Sequence, residues 1–345
     1  MRVRNNKEKA LFLWTEQVAT IISAALKTYP VGAAVHEKPD IKSVDLINPC
    51  YICLILSQQL HNPLFMMNEK LNERSRQILD EIKRRTLTPA YKLAFDTESA
   101  PTIFDSKVGG LPYWDPAKTY PTDSKGNKMC LLAQINFDRE KVESPLPQGG
   151  MLQFFLAYDD VYGLHYHDEI RQKNWRVVYH EKIDTNMNAE LVEGLGIPTD
   201  TENQEYYSPV LKSCVFHLVK KETWITFMHS DAFDALTLEL AEELFGETEA
   251  DFGSDVFGDE QFTLILEEDS HNKNSQLLGH PYFTQGDVRE EGSRYDTLLF
   301  QLDSETVDKE KITMWGDCGV GNFFINAEDL QRLDFSNVLY NWDCC

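Results

Sequence analysis

Ser106 to Trp114 reads S-K-V-G-G-L-P-Y-W, and Ser275 to Phe283 reads S-Q-L-L-G-H-P-Y-F, 169 residues later. Aligned without gaps, they pair Ser106 with Ser275, Gly110 with Gly279, Pro112 with Pro281 and Tyr113 with Tyr282. Two further blocks follow in the same order. Leu131-Leu132-Ala133-Gln134-Ile135 is echoed by Leu298-Leu299-Phe300-Gln301-Leu302. Gly150-Met151-Leu152-Gln153-Phe154-Phe155-Leu156 is echoed by Gly319-Val320-Gly321-Asn322-Phe323-Phe324-Ile325, again at an offset of 169. Three matched blocks in one order predict an internal duplication.

The segments around these blocks support an α+β reading. From Asn68, Leu71, Ile78, Leu79 and Ile82 recur on one helical face, and Lys83, Arg84 and Arg85 suit the C-terminal end of the dipole. Phe233, Leu236, Leu240 and Leu244 make a second helix over 232–245, with Gly246 as its stop. Strands are expected at 91–95, 129–137, 150–158, 175–180, 214–219, 261–266, 298–302 and 322–325. Residues 251–258 read as an acidic turn, and 329–338 as short helix or turn. Each half then runs helix, strand, Gly-Pro-aromatic turn, Gln-bearing strand, Phe-Phe strand. The expected fold is internally duplicated, with two similar helix-plus-antiparallel-sheet halves packed pseudo-symmetrically. Their ranges are 68–230 and 231–345, behind an N-terminal extension over 1–67.

The chain has 345 residues, 42% hydrophobic and 11% aromatic, enough for a large packed core. A net charge of −23 opposes a nucleic-acid partner, which needs a basic stripe, and suits a basic partner or plain solubility. Residues 1–65 hold seven Lys and Arg against five Asp and Glu, so the acidity lies downstream. Its densest run, Glu239 to Glu260, carries nine carboxylates and no Lys or Arg. Near residues 8–27 we expect a short amphipathic helix, because charges, Pro30 and Gly32 interrupt the apolar run needed for a membrane span or a signal peptide. Met66 and Met67 mark a second possible start. Seven scattered cysteines argue for reducing cytoplasm over a disulfide framework, and Cys50-x-x-Cys53 has no partner motif that would make a zinc site.

The blocks resemble the YwqG-like family, a bacterial domain of unknown function. The resemblance rests on Gly109-Gly110-x-Pro112, Leu131-x-x-Gln134-Ile135, Gly150-x-Leu152-x-Phe154-Phe155 and Leu278-Gly279-x-Pro281 with Gln285-Gly286-Asp287. Leu299-x-Gln301-Leu302-Asp303-Ser304 and Trp315-Gly316-Asp317-x-Gly319 before Phe323-Phe324-Ile325 complete it, over about residues 70–343. It implies a cytoplasmic α+β protein and supplies no catalytic residue.

Candidate chemistry is sparse. No P-loop, nucleophile elbow, H-E-x-x-H or dinucleotide fingerprint occurs, so no cofactor is expected. His165-Tyr166-His167-Asp168-Glu169 stands out, since on a strand His165 and His167 would share a face and could hold a metal with Glu169; an exposed loop is the commoner setting. Gln134 and Gln301, at the centres of apolar strands, must find partners and could serve backbone or ligand. Asp317 and Gln285-Gly286-Asp287 are turn residues or pocket-mouth groups. Packed halves could bring Trp114, Phe283, Trp315 and the two glutamines together at their joint, where ligand sites are usual. The expected function is therefore a binding protein that uses this joint or its acidic face. Its partner would be a protein or a small molecule, not nucleic acid or membrane. The alternative is a metal-dependent or acid/base hydrolase using the His165–Glu169 cluster or Asp317. A structural partner in a complex would look the same in sequence.

Overall fold

A computed structural model describes residues 71–165, 169–199, 207–227, 230–269, 274–290 and 292–344. The expected helix at 8–27, the alternative start at Met66 or Met67, and Cys50 and Cys53 lie outside the described residues.

Ten strands form one antiparallel sheet. In chain order they are β1 (Thr88–Asp96), β2 (Lys107–Val108), β3 (Cys130–Asn136), β4 (Met151–Leu156), β5 (Trp175–His180), β6 (Cys214–Thr223), β7 (Gln276–Leu278), β8 (Thr297–Asp303), β11 (Val320–Ile325) and β12 (Val338–Asp343). Their order across the sheet is β12-β11-β8-β7-β1-β6-β2-β3-β4-β5. A two-stranded ribbon, β9 (Thr306–Val307) and β10 (Glu310–Lys311), stands apart. The longest pairing is the central one, where β1 and β6 match from Thr88↔Thr223 to Asp96↔Val215.

The sheet curls until it is nearly closed. Five strands separate β8 from β4 in the sheet, yet the rings of Phe300 and Phe154 stack at 4.6 Å. At the seam the two edge strands meet through aromatic side chains and the residues that flank them. Tyr340 N donates to Glu169 O at 3.0 Å, Gln172 Nε2 donates to Phe335 O at 2.8 Å, and the Trp175 and Tyr340 rings lie 5.5 Å apart. The enclosed core holds Phe154, Trp175, Phe216, Phe300, Trp315, Phe323 and Tyr340, all fully buried. Continuous apolar sequence produces this: all seven residues of β3 and all six of β4 are buried, as strands covered on both faces require.

The expectation of an internally duplicated α+β fold, with two helix-plus-sheet halves packed pseudo-symmetrically, is therefore corrected. Strands from both repeated stretches join a single mainly β sheet, with β2 between β6 and β3 and β7 between β1 and β8. Nor do the two long helices serve one half each. Helix α1 (Glu73–Thr86) and helix α3 (Ser230–Phe245) pack on one another, through Ile78 and Ile82 against Phe233, Leu240 and Ala241. Helices α4 (Gly253–Phe257) and α5 (Asp259–Asp269) add Val256, Phe257 and Ile265 to the same cluster. Residues 261–266, expected as a strand, are the middle of α5. Acidic neighbours at Asp259 and Glu260 favour a helix start there, and burying Ile265 with Phe262 half-covered matches helical spacing. Part of the expected acidic turn is helix α4, and β12 occupies the end of the stretch read as turn after the short helix α6 (Ala327–Gln331). Helix α2 (Ala189–Glu193) was not anticipated.

Local conformation follows the repeat more closely than assembly does. Gly109 and Gly110 take φ +60° and +68°; Leu278 and Gly279 take +58° and +77°. A leucine is held in the left-handed region, so glycine's freedom alone does not fix the turn.

At Gly150 (φ +76°) a Cβ would stand 2.2 Å from the His180 carbonyl oxygen, whereas at Gly126 (φ +88°) a Cβ would meet nothing within 4 Å. We expect Gly150→Ala to cost about 3 kcal/mol or more and Gly126→Ala about 1 kcal/mol, measured by urea unfolding. Equal costs would show that the β4–β5 edge yields easily.

Candidate functional site

Pro112 and Pro281 cannot donate to a sheet, so the tyrosine after each carries its backbone into the core without a strand partner. Buried amides supply one. Tyr113 N donates to Gln134 Oε1 at 3.0 Å, and Gln134 Nε2 donates to Ile103 O and Asp105 O at 2.9 and 2.8 Å. Gln153 Nε2 donates to Tyr113 O at 2.8 Å, and Gln153 Oε1 lies 2.9 Å from His180 Nε2. Burial lowers the His180 pKa to about 4, so the neutral ring donates through Nε2 while the Tyr113 and Trp114 rings stand edge-on to it at 5.2 and 5.1 Å. Around Tyr282 the pattern returns. Its N donates to Gln301 Oε1 at 2.8 Å, Asn322 Nδ2 donates to its carbonyl at 3.0 Å, and Gln301 Nε2 donates to Asn274 O at 2.6 Å. Sequence reading singled out Gln134 and Gln301 but missed Gln153 and Asn322. Their signal was present, a carboxamide at the same place in each apolar Phe-Phe strand.

The other candidates are spread over the molecule. Trp114 packs with Tyr120 and Phe155, and its Nε1 donates to Lys118 O at 3.2 Å. Phe283 lies in a different cluster, against Phe324, and Trp315 in the main core beside Tyr162. Gln285 and Asp317 are exposed near the end of β12. Gln285 donates its N–H to Asp343 at 2.9 Å and its side-chain amide to Cys344 O, while a Cβ on Gly316 would meet Cys344 Sγ at 2.6 Å. Asp343 also accepts from Thr284 N, and burial pushes its carboxyl up. Asp287 pairs with Arg289 at 2.6 Å, whose guanidinium lies 4.1 Å from the Phe324 ring centre.

The two repeated stretches differ at one buried position that sequence reading passed over. Lys107 is 1% exposed where the second stretch has Gln276. Gln276 Nε2 donates to Leu278 O and His280 O at 3.0 and 2.8 Å; Lys107 Nζ donates to Leu111 O. Burial lowers the Lys107 amine to about 8, partly opposed by Asp105. A cavity of about 10 Å³, room for one water, touches the adjoining Gly109–Gly110 turn, Cys130, Tyr158 and Ser208.

Of the histidine cluster, His165 is exposed, the Glu169 backbone carbonyl serves β12, and His167 lies outside the described residues. No group of three His, Cys, Asp or Glu among the described residues is placed to hold a metal. His165 instead lines a depression of about 140 Å³ with Ser124, Arg171, Lys173 and Asn174.

The acidic run forms the outer side of the helical layer. Arg85 is held by Glu81 at 2.8 Å, Glu239 at 3.1 Å and Glu243 at 2.6 Å. Arg74 pairs with Glu247 and lies 5.3 Å from the Phe245 ring centre. Leu244 and Phe245 are 43% and 40% exposed beside them. Among the described residues, no helix is long and apolar enough to cross a membrane.

Two outcomes follow from the buried polar groups. Gln134→Leu leaves Tyr113 N, Ile103 O and Asp105 O unpaired, and we expect it to cost about 3 kcal/mol or more in urea unfolding. Gln148→Leu, at an exposed site, should change stability by less than about 0.5 kcal/mol. For Lys107 the folded-state amine titrates below its unfolded value, so the unfolded chain binds more protons between about pH 8 and pH 10.5 and stability rises with pH across that window. Lys221, also lowered to about 8, adds to the same slope, so the informative quantity is a difference between variants. Lys107→Gln should be more stable than the parent at pH 7 by about 1–3 kcal/mol, with the advantage gone near pH 10.5. A constant difference across pH would mean the amine is not desolvated.

No curated protein matches the chain. The sequence pattern of a family described as a domain of unknown function, DUF1963, matches residues 106–344, which include both repeated stretches, both amide brackets and the seam. That match covers more than half of the chain, which therefore belongs to the DUF1963 family.

Proposed function

We propose that this chain is a YwqG-like member of its family, acts in the cytoplasm, and is an interaction protein whose acidic helical layer binds a basic segment of a partner protein. The observation that carries this reading is the Arg85 guanidinium, gripped by three glutamates from two helices. Arg74, over Phe245 and against Glu247, is a second example of the same recognition. This surface binds guanidinium groups within its own fold. Glu242, Glu249, Asp251, Asp259 and Glu260 are exposed around the half-exposed Leu244 and Phe245. An apolar centre inside an acidic rim fits an amphipathic basic helix, with the rim steering it and the centre anchoring it. The cysteines Cys130, Cys214 and Cys344 are free thiols, which supports a reducing compartment.

The test uses a synthetic amphipathic peptide of arginine and leucine, titrated into the full chain and followed residue by residue by NMR or hydrogen exchange. We expect changes centred on 239–260 and a loss of affinity of tenfold or more between low and high salt. Combined Glu242→Gln, Glu249→Gln and Asp251→Asn should weaken binding by about tenfold, as should Phe245→Ser. Glu98→Gln, Glu190→Gln and Glu193→Gln remove the same charge elsewhere. If they weaken binding equally, net charge and not this face is responsible, and the reading is wrong.

A further inference from the structure

We propose that the C-terminal end of α3 is an arginine-selective seat, where a partner's guanidinium stacks on the exposed side of Phe245 and forks between the Glu242 carboxylate and the last carbonyls of the helix. The inference rests on the reading of the helical layer as a surface for basic segments, and it names the cation that this surface takes. The fold already uses the same chemistry once. Arg74 reaches across from α1 to this end of α3. Its guanidinium lies 5.3 Å from the Phe245 ring centre and donates to the Glu247 carboxylate and to Val256 O of α4. One flat group thus meets a ring, a carboxylate and a backbone carbonyl together. A planar fork of donors suits that combination better than a compact, strongly hydrated ammonium. Arg85 engages α3 in the same forked way, through Glu239 at 3.1 Å and Glu243 at 2.6 Å. Lys83, on the same helix, turns away from these carboxylates and lies 3.9 Å from the Trp224 ring centre.

The same three kinds of group stand together a second time, on the open side of the helix end. Residues 242–246 are all exposed, and Phe245 keeps 40% of its surface in solvent with Arg74 already beside it. Glu242 precedes Phe245 by three residues, so their side chains are neighbours on the helix surface. The end of α3 also calls for a cation. Its last turn holds Glu242 and Glu243 and no basic residue, so carboxylates lie where the helix dipole is already negative. Gly246 N donates to Glu242 O at 2.9 Å and Glu247 N to Ala241 O at 3.2 Å. These two capping bonds leave the carbonyls of Glu243, Leu244 and Phe245 beyond the bonding of the helix itself. Leu244, 43% exposed, offers apolar surface to the methylene stem of an incoming arginine. Ring, carboxylate and carbonyl thus surround a second guanidinium position as they surround Arg74.

The probes are two amphipathic peptides, one of arginine and leucine and one of lysine and leucine, equal in length, spacing and charge. Each is titrated into the full chain and followed by NMR. The arginine peptide should bind about fivefold or more tightly than the lysine peptide. Phe245→Leu keeps the apolar bulk and removes the ring, and should cut that ratio to less than about twofold. Phe245→Tyr keeps the ring and should retain the preference, with circular dichroism showing that both variants are folded. A lysine peptide that binds the parent as tightly as the arginine peptide, or a preference that survives Phe245→Leu, would overturn the seat and leave the acidic face standing. If neither peptide shifts residues 239–260, the reading of the face itself fails, and this inference with it.

Discussion

Tyr113 and Tyr282 impose the constraint around which the sheet is organised. Each follows a proline, which has no N–H to give, and each enters the core where its own backbone N–H and C=O need partners. An unpaired buried peptide group costs a few kcal/mol, and each tyrosine has two to satisfy. Carboxamides from the two adjacent strands meet this need: Gln134 and Gln153 in one place, Gln301 and Asn322 in the other. A glutamine at the middle of an otherwise apolar strand would be a liability on its own. Here the pairing of β3 with β4 and of β8 with β11 brings both amides to one tyrosine. The same constraint accounts for Leu278 at φ +58°, because a turn held at both ends can force an unfavourable conformation on a leucine.

Much of this was legible in the chain. Apolar runs placed β3, β4, β8 and β11 almost to the residue, because a strand buried on both faces leaves an unbroken apolar signature. The repeated blocks marked both turns, and strand-centred glutamines pointed to buried polar work. Assembly was not legible. The pattern of a strand records its burial and not the identity of its neighbour, so nothing in β1 announced its nine-residue pairing with β6. The helices show this most clearly. Their local periodicity was right, but their apolar faces are equally satisfied by a sheet or by one another, and Ile78 and Ile82 found Phe233 and Leu240. Residues 261–266 failed for a related reason. A short apolar run fits strand and helix alike, and the carboxylates on either side of it carried the decisive information.

Among the candidate sites, legibility depended on charge more than on residue type. His165, His167 and Glu169 suggested a metal because these residue types and spacing suit one; of the three, His167 lies outside the described residues, His165 is exposed, and the Glu169 backbone carbonyl accepts from Tyr340 N. Lys107 escaped notice because a lysine in sequence reads as surface. It lies in the core, in a place where Gln276 satisfies backbone carbonyls with no charge at all.

Sign is also what divides the molecular surface. The helical layer concentrates carboxylates and already grips Arg74 and Arg85, so it attracts cations. The seam carries Arg171 and Lys173 on a wall fixed by Gln172, Asn174 and Gly163. At physiological ionic strength a field fades over about 8 Å, so the two surfaces act separately despite the large net charge. A chain this acidic would resist anions everywhere if its charge were spread evenly. Asp123 and Asp159 are folded into their own loops, where Asn127 N and Gly163 N donate to their carboxylates.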